Sequence, residues 1–295
     1  CIRDRIVSNL VATSFTVTNL VNGKAAVFAV SAQGDRGEGA ETVRLRATPS
    51  PPVLDWLPAG AKIERLATGF QYTEGPLWLP ADGGSLVFGD VYANRMYRWR
   101  LGGQLEVFRA ESGGAGGNVL DNEGRLITCE SATKSITRTE RDGRVVTLVD
   151  RYKNLPFNAP NDSIVKSDGT IWFTDPPFSA DPSMTQPGNY VYRFDPMVGN
   201  ASVVAMVKNF HYPNGICLSP DETRLYIAES FAPPGGVRTF DVLPDNTLTN
   251  GRVFKVINPN SVDGIRTDAA GRLWITVAEG VQIYSPDEML LGNIQ

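Results

Sequence analysis

Histidine is nearly absent from this 295-residue chain, with His211 the single example. That excludes metal centres built from several imidazoles and leaves a Ser-His-Asp arrangement one available base. Cysteine is almost as scarce. Cys1, Cys129 and Cys217 are scattered, with no Cys-x-x-Cys spacing, so the sequence encodes no disulfide framework. No apolar run approaches the roughly 18 residues of a membrane-spanning helix. Positive charge is also in short supply: 28 Lys and Arg stand against 32 Asp and Glu, a formal net charge of −4. Nucleic acid or an anionic membrane would need a basic face instead. What remains is an ordinary globular composition, 42% hydrophobic and 20% charged, with enough apolar mass for a full core. The 29 Gly and 20 Pro make up about 17% of the chain against a usual ~12%, which points to many turns and few helices. Chemistry in such a chain has to come from carboxylates and other oxygen groups.

Internal repeats decide the architecture. Five strands share a Gly-anchored or similar start: 84–90 (GSLVFGD), 124–130 (GRLITCE), 169–175 (GTIWFTD), 223–229 (TRLYIAE) and 271–277 (GRLWITV). Each is followed by a second strand, and the first four by a third. The anchor positions Leu86, Leu126, Ile171, Leu225 and Leu273 are 40, 45, 54 and 48 residues apart. Short strands repeating near 45 residues, without helical periodicity, predict an all-β β-propeller. Trp78, Trp99, Trp172 and Trp274 recur near strand positions and read as blade packing. Cys129 and Cys217 fall in or beside β segments and read as buried apolar thiols.

A small polar pair precedes each anchor strand: Glu74-Gly75, Gly116-Gly117, Asn161-Asp162, Asn214-Gly215 and Asp263-Gly264. Equivalent positions in successive blades converge on the propeller axis. Four of the five carry a side-chain oxygen: Glu74, Asn161, Asn214 and Asp263. Two carboxylates and two amide carbonyls form a hard-oxygen set suited to Ca2+. Asn-Gly and Asp-Gly also make simple turns. That alternative fits Glu74 poorly and does not explain why all four share one phase of the repeat.

The beginning of the chain reads differently. Segments 14–20 (SFTVTNL), 25–32 (AAVFAVSA) and 41–47 (ETVRLRA) alternate like strands, with a turn at Asn22-Gly23. With Thr18-Asn19-Leu20, Gly37-Glu38-Gly39 and Thr48-Pro49, this region resembles the C-terminal half of a fibronectin type III domain. Ala26 departs from it, standing where that family usually has tyrosine. The organisation expected is a partial β-sandwich over 1–49, a Pro-rich linker over 50–60 and a propeller over 61–295.

Several motifs in order resemble the gluconolactonase/regucalcin family. They are Thr73-Glu74-Gly75-Pro76-Leu77-Trp78, Asn158-Ala159-Pro160-Asn161-Asp162 and Phe173-Thr174-Asp175-Pro176-Pro177-Phe178, then Tyr212-Pro213-Asn214-Gly215, Ser219-Pro220-Asp221, and Asp263-Gly264-Ile265 with Gly271-Arg272-Leu273-Trp274. The resemblance implies a six-bladed-type propeller with an axial divalent cation, usually Ca2+, held by Glu74, Asn161, Asn214 and Asp263. Mg2+, Mn2+ and Zn2+ also occupy related sites. Gly116 departs from the pattern, standing where relatives often have a polar residue. With five repeats rather than six, the propeller reads as truncated to about five blades, its C-terminal blade incomplete.

The resemblance also implies hydrolysis of a small lactone such as gluconolactone. Asp263 is expected as ligand and general base, and Glu74 as a charge-neutralising ligand. Asp162 is read either as support for its neighbouring ligand or as a turn carboxylate. Trp172 and Phe178 flank the TDPPF stretch and are candidates for a substrate wall. His211, three residues before Asn214, is a candidate at the channel mouth, with a plain loop role as the alternative. The loops over 177–189 and 231–236 are the long ones, where substrate choice is usually set. The competing function is a non-catalytic Ca2+-binding propeller serving as a ligand-binding or interaction module. The expected partner is a small-molecule lactone, with no nucleic acid and no membrane span. A fibronectin-like module joined to an enzyme points to an extracellular or periplasmic setting, with the cytoplasm as the alternative.

Overall fold

The computed structural model describes residues 26–28, 33–34, 37–38, 45–47, 61–80, 83–178, 185–232, 234–257 and 261–294. The chain divides into two compact units, Cys1–Ala61 and Lys62–Gln295. In the first unit, β1 (Ala26–Phe28) pairs antiparallel with β4 (Leu45–Ala47), and β2 (Gln33–Gly34) pairs with β3 (Gly37–Glu38). The expected strand over 14–20 and the linker over 50–60 lie outside the described residues.

The second unit contains five four-stranded antiparallel meanders, the blades of a β-propeller. Blade one is β5 (Thr73–Leu79), β6 (Ser85–Asp90), β7 (Arg95–Arg100) and β8 (Leu105–Ala110). Blade two is β9 (Ala115–Leu120), β10 (Leu126–Glu130), β11 (Ser135–Thr139) and β12 (Val145–Val149). A short hairpin, β13 (Arg151–Tyr152) with β14 (Leu155–Pro156), leads to blade three. That blade is β15 (Ser163–Val165), β16 (Ile171–Asp175), β17 (Asn189–Phe194) and β18 (Val204–Phe210). Blade four is β19 (Pro213–Leu218), β20 (Arg224–Glu229), β21 (Gly236–Val242) and β22 (Leu248–Val256). Blade five is β23 (Ile265–Thr267), β24 (Leu273–Val277), β25 (Gly280–Tyr284) and β26 (Leu290–Ile294). Among the described residues there is no α-helix.

Each blade thus has an inner strand that the repeat reading did not mark as a strand of its own. Blade five also carries a fourth strand, β26, beyond the two expected, so the expectation of an incomplete fifth sheet is corrected. The inner strands β5, β9, β15, β19 and β23 contact one another in that order. The anchor glycines end the turns between first and second strands, where Gly124 (φ +75°) and Gly271 (φ +76°) adopt the left-handed backbone.

The core lies between blades, not within them. Leu126 and Ala115 of blade two meet Val87 and Met96 of blade one. Ile127, Cys129 and Ile136 of blade two meet Phe173, Tyr192 and Phe194 of blade three. Trp172 and Val191 of blade three meet Ile216, Leu225 and Ile227 of blade four, and Tyr226 and Phe254 of blade four meet Leu273, Ile275 and Tyr284 of blade five. A strand covered on both faces needs apolar residues at consecutive positions, which is why β16 reads IWFTD and is buried throughout. Cys129 and Cys217 are free and buried in these interfaces.

Candidate active site on the propeller axis

The polar pairs stand at or just before the starts of the inner strands, so they converge. A cavity of ≈ 630 Å3 is lined by Tyr72, Glu74, Gly117, Asn161, Asp162, Asn214, Asp263, Arg266 and Thr276, among others. All four expected ligands, Glu74, Asn161, Asn214 and Asp263, therefore face one space. The glycines of the pairs follow from that convergence. Gly75 has φ +56°, and a Cβ there would collide with the Gly116 carbonyl oxygen of the next blade. A Cβ on Gly117 would lie 2.6 Å from Asp162 Cα. Close approach of neighbouring blades, more than turn formation, demands glycine at these positions.

The backbone of each ring residue is pinned. Asn161 N–H donates to Thr174 O (2.9 Å), and its carbonyl accepts Gly117 N–H (2.7 Å). Asp263 N–H donates to Thr276 O (3.1 Å) in the equivalent register. Asn214 is buried; its carbonyl accepts Thr174 Oγ1 (2.8 Å), and its Nδ2 donates to Ser230 Oγ (3.1 Å). A further layer braces the approach to three of the ring positions, Glu74, Asn161 and Asn214. The carboxylate ending the second strand holds backbone N–H groups two or three residues before the ring. Asp90 accepts Gln71 and Tyr72 N–H (both 2.9 Å), Asp175 accepts Asn158 (2.9 Å) and Ala159 (2.8 Å), and Glu229 accepts His211 (2.8 Å). The signal was present in the sequence, since four of the five repeat strands end in Asp or Glu.

Electrostatics mark the cavity as short of positive charge. Burial, with the Asp263 and Asp162 charges adding to it, pushes the Glu74 carboxyl up to about 7. Burial likewise raises Asp263, the Asp162 charge acts in the same direction, and hydrogen bonds from the Asn214 side chain and Gly264 N–H partly offset them. Burial and the Asp263 and Glu74 charges push the Tyr72 phenol, which hydrogen-bonds Glu74, up to about 12. Among the described residues no three His, Cys, Asp or Glu side chains form a metal-holding group by themselves. The ring offers two carboxylates and two amides instead. That donor set fits a hard divalent cation, which would relieve the mutual repulsion of the two acids.

The other expected site residues divide. Asp162 lines the cavity, but its carboxylate is committed. Arg266 donates from Nη1 (2.7 Å) and Nη2 (3.0 Å), and Ser163 N–H (2.9 Å) and Ile216 N–H (3.2 Å) donate as well. Asp162 thus clasps blades three, four and five and does not offer its charge to substrate. Arg266 went unmarked in the sequence. Trp172 is corrected outright: it is 0% exposed between blades three and four, with Nε1 on Thr170 Oγ1 (3.1 Å), so it forms no substrate wall. Phe178 stacks on Tyr212 with ring centroids 5.9 Å apart, and Phe231 stands edge-on to both. This aromatic group lies at the end of the blades where the ring lies, but not in the cavity lining. His211 is exposed and also absent from that lining.

Comparison with known proteins agrees with this fold. Residues 72–295 match the family described as SMP-30/Gluconolactonase/LRE-like region. A gluconolactonase of Zymomonas mobilis is 29% identical over 273 residues, covering 83% of this chain and 75% of its own. The structure of a Xanthomonas campestris gluconolactonase is 35% identical, with a TM-score of 0.71 over 78% of this chain and 77% of that one. A calcium-binding regucalcin from Agrobacterium tumefaciens is similar in fold alone, at 20% identity and a TM-score of 0.63, over 78% of this chain and 75% of that one. The matched span takes in all five blades and every residue of the ring, and the chain belongs to the SMP-30/gluconolactonase/LRE-like family.

Proposed function

We propose that this chain hydrolyses a small lactone, a sugar lactone such as gluconolactone, with a divalent cation, Ca2+ first, held by Glu74, Asn161, Asn214 and Asp263. The observation that carries the reading is the convergence of those four oxygen-bearing side chains on one axial cavity. When bound, the cation supplies Lewis acidity for the lactone carbonyl and for the oxyanion that develops on it.

The protein residues account for the rest. Asp263 takes the proton of the attacking water, as the ring carboxylate beside the place of the cation, which would hold it ionised. The water oxygen bonds to the carbonyl carbon, the ring C–O bond breaks, and the proton passes to the departing alkoxide. Glu74 balances positive charge and orients the Tyr72 hydroxyl. Asp162, tied to Arg266, holds the inner strands of three blades in place beneath the reacting atoms. The antiparallel pairing of β1 with β4 supports the partial fibronectin type III reading of 1–49, and with it an extracellular or periplasmic setting.

The test is lactone hydrolysis above the uncatalysed rate, before and after chelation. Chelation is expected to abolish it and Ca2+ to restore it. Asp263→Asn is expected to lower kcat by about 10^3-fold. Full activity in cation-free protein would remove the metal from the proposal. A loaded protein inert on sugar, aliphatic and aryl lactones would leave the non-catalytic Ca2+-binding alternative.

A further inference from the structure

Blade five lacks the brace that the other ring-bearing blades possess. Asp90, Asp175 and Glu229 end the second strands of blades one, three and four and hold the approaches to Glu74, Asn161 and Asn214. The equivalent residue of blade five is Val277, which has no carboxylate. Its place is taken from the neighbouring blade by Ser230, the residue after Glu229. Ser230 is 1% exposed, and its hydroxyl donates to the carbonyl of Val262, the residue before Asp263. A hydroxyl has one hydrogen. With that hydrogen spent on Val262, Ser230 Oγ has only acceptor capacity left for Asn214, and Asn214 Nδ2 donates to it at 3.1 Å. The amide nitrogen is thereby fixed on the serine side, from which it also donates to the Asp263 carboxylate. A flipped Asn214 would set carbonyl oxygen against hydroxyl oxygen with no proton between them, an uncompensated buried pair.

We propose that Ser230 is a positioning residue that orients the Asn214 amide, so that its oxygen and not its nitrogen serves the cation, and that through Val262 it sets the backbone bearing Asp263. This rests on the cation reading above. Ser230 touches neither cation nor substrate in this account. Second partners of metal ligands act in this way, through the orientation of the ligand.

The experiment is calorimetric titration of CaCl2 into chelator-stripped full chain, wild type against Ser230→Ala, Asn214→Ala and the double variant. Thermal unfolding is followed with and without Ca2+. Ser230→Ala is expected to lower Ca2+ affinity by about 10- to 100-fold. Its effect should be smaller in the Asn214→Ala background, because the two residues act as one unit. The stabilisation conferred by Ca2+ should shrink with the affinity. A purely structural serine would lower the Tm of the cation-free protein and leave the affinity alone, and that result overturns the proposal. So does full additivity of the two substitutions. If Ser230→Ala does not fold, Ser230→Cys, similar in size and a weak acceptor, is judged by the same affinity criterion. A wild type that takes up no divalent cation overturns the cation reading and this inference with it. A wild type that binds Ca2+ no better than folded Ser230→Ala overturns this inference alone.

Discussion

Blades three and one each send one ring residue into the cavity from the same point of the repeat, yet their surroundings differ. Blade three is covered on both faces, by Cys129 and Ile136 of blade two on one side and by Ile216 and Ile227 of blade four on the other. Blade one is covered by a neighbouring blade on one face only, where Val87 and Met96 meet blade two, while Phe70 packs against Phe88 and Tyr97 on the other. Its other face shows Trp78 at 46% exposure and Val107 at 50%. The strand pattern is the same in both, so what differs is the neighbour. In these two blades the ring residue does not depend on that difference, because it is held from its own blade's second strand: Asp90 steadies the approach to Glu74 as Asp175 steadies the approach to Asn161. Packing sets how much each blade contributes to stability, and the short-range hydrogen bonds set where the site stands.

The largest expected effect separates the two tryptophans. Trp172→Ala removes a fully buried indole from the interface of blades three and four and should cost about 3–5 kcal/mol. Trp78→Ala, on the open face, should cost less than about 1 kcal/mol. Urea unfolding of both variants measures the contrast. Equal losses would mean that the open face of blade one is covered in solution and would abolish the distinction.

The next effect contrasts the ion pairs of the same two regions. The Asp162 side chain is 9% exposed and paired bidentately by Arg266, whose own side chain is 46% exposed along the channel. Arg266→Met leaves a buried carboxylate with only two N–H donors. It should cost about 2–3 kcal/mol, below the full value for a completely buried pair because solvent reaches the arginine. On blade one, Glu106 pairs with Arg100 at 3.2 Å with both side chains about a third exposed. Glu106→Gln should change stability by less than about 1 kcal/mol. An Arg266→Met variant as stable as wild type would show that the clasp across blades three, four and five is dispensable.

The repeat was legible in the sequence because the second strands are long, apolar and preceded by turns. The ring was legible because one phase of that repeat carries side-chain oxygens at Glu74, Asn161, Asn214 and Asp263. The inner strands were not. β15 and β23 have three residues each, and the polar pairs beside them read as turn signals. Arg266 escaped because its partner Asp162 lies 104 residues away, a pairing that only the convergence of blades creates. The face of Trp172 was ambiguous for a related reason. Alternation along β16 places Trp172 opposite Ile171 and Phe173, and with both faces covered neither side marks substrate. Ser230 carried no signal, since its role depends on a single proton shared with another blade.

The smallest expected effect tests whether the brace of blade three senses pH. Asp175 is 0% exposed, and burial pushes its carboxyl up to about 7 despite the N–H groups of Asn158 and Ala159. In the unfolded chain it titrates near 4. Between these values the folded protein holds a proton that the unfolded chain has released, so stability falls as pH rises. The contribution is fully present below pH about 4 and is lost as pH climbs through about 7. Asp168, in the same blade, acts in the opposite direction and outside that window. Hydrogen bonds from Thr170 and Asn246 outweigh its burial and hold it down to about 2, so its contribution is lost only as pH falls through that value. Asp175→Asn lowers Tm at every pH, because an amide cannot accept both N–H groups through oxygen. It should also flatten the fall in Tm between pH 4.5 and 7.5 by a few degrees. An unchanged slope would assign the pH dependence to other groups and leave Asp175 a brace insensitive to protonation.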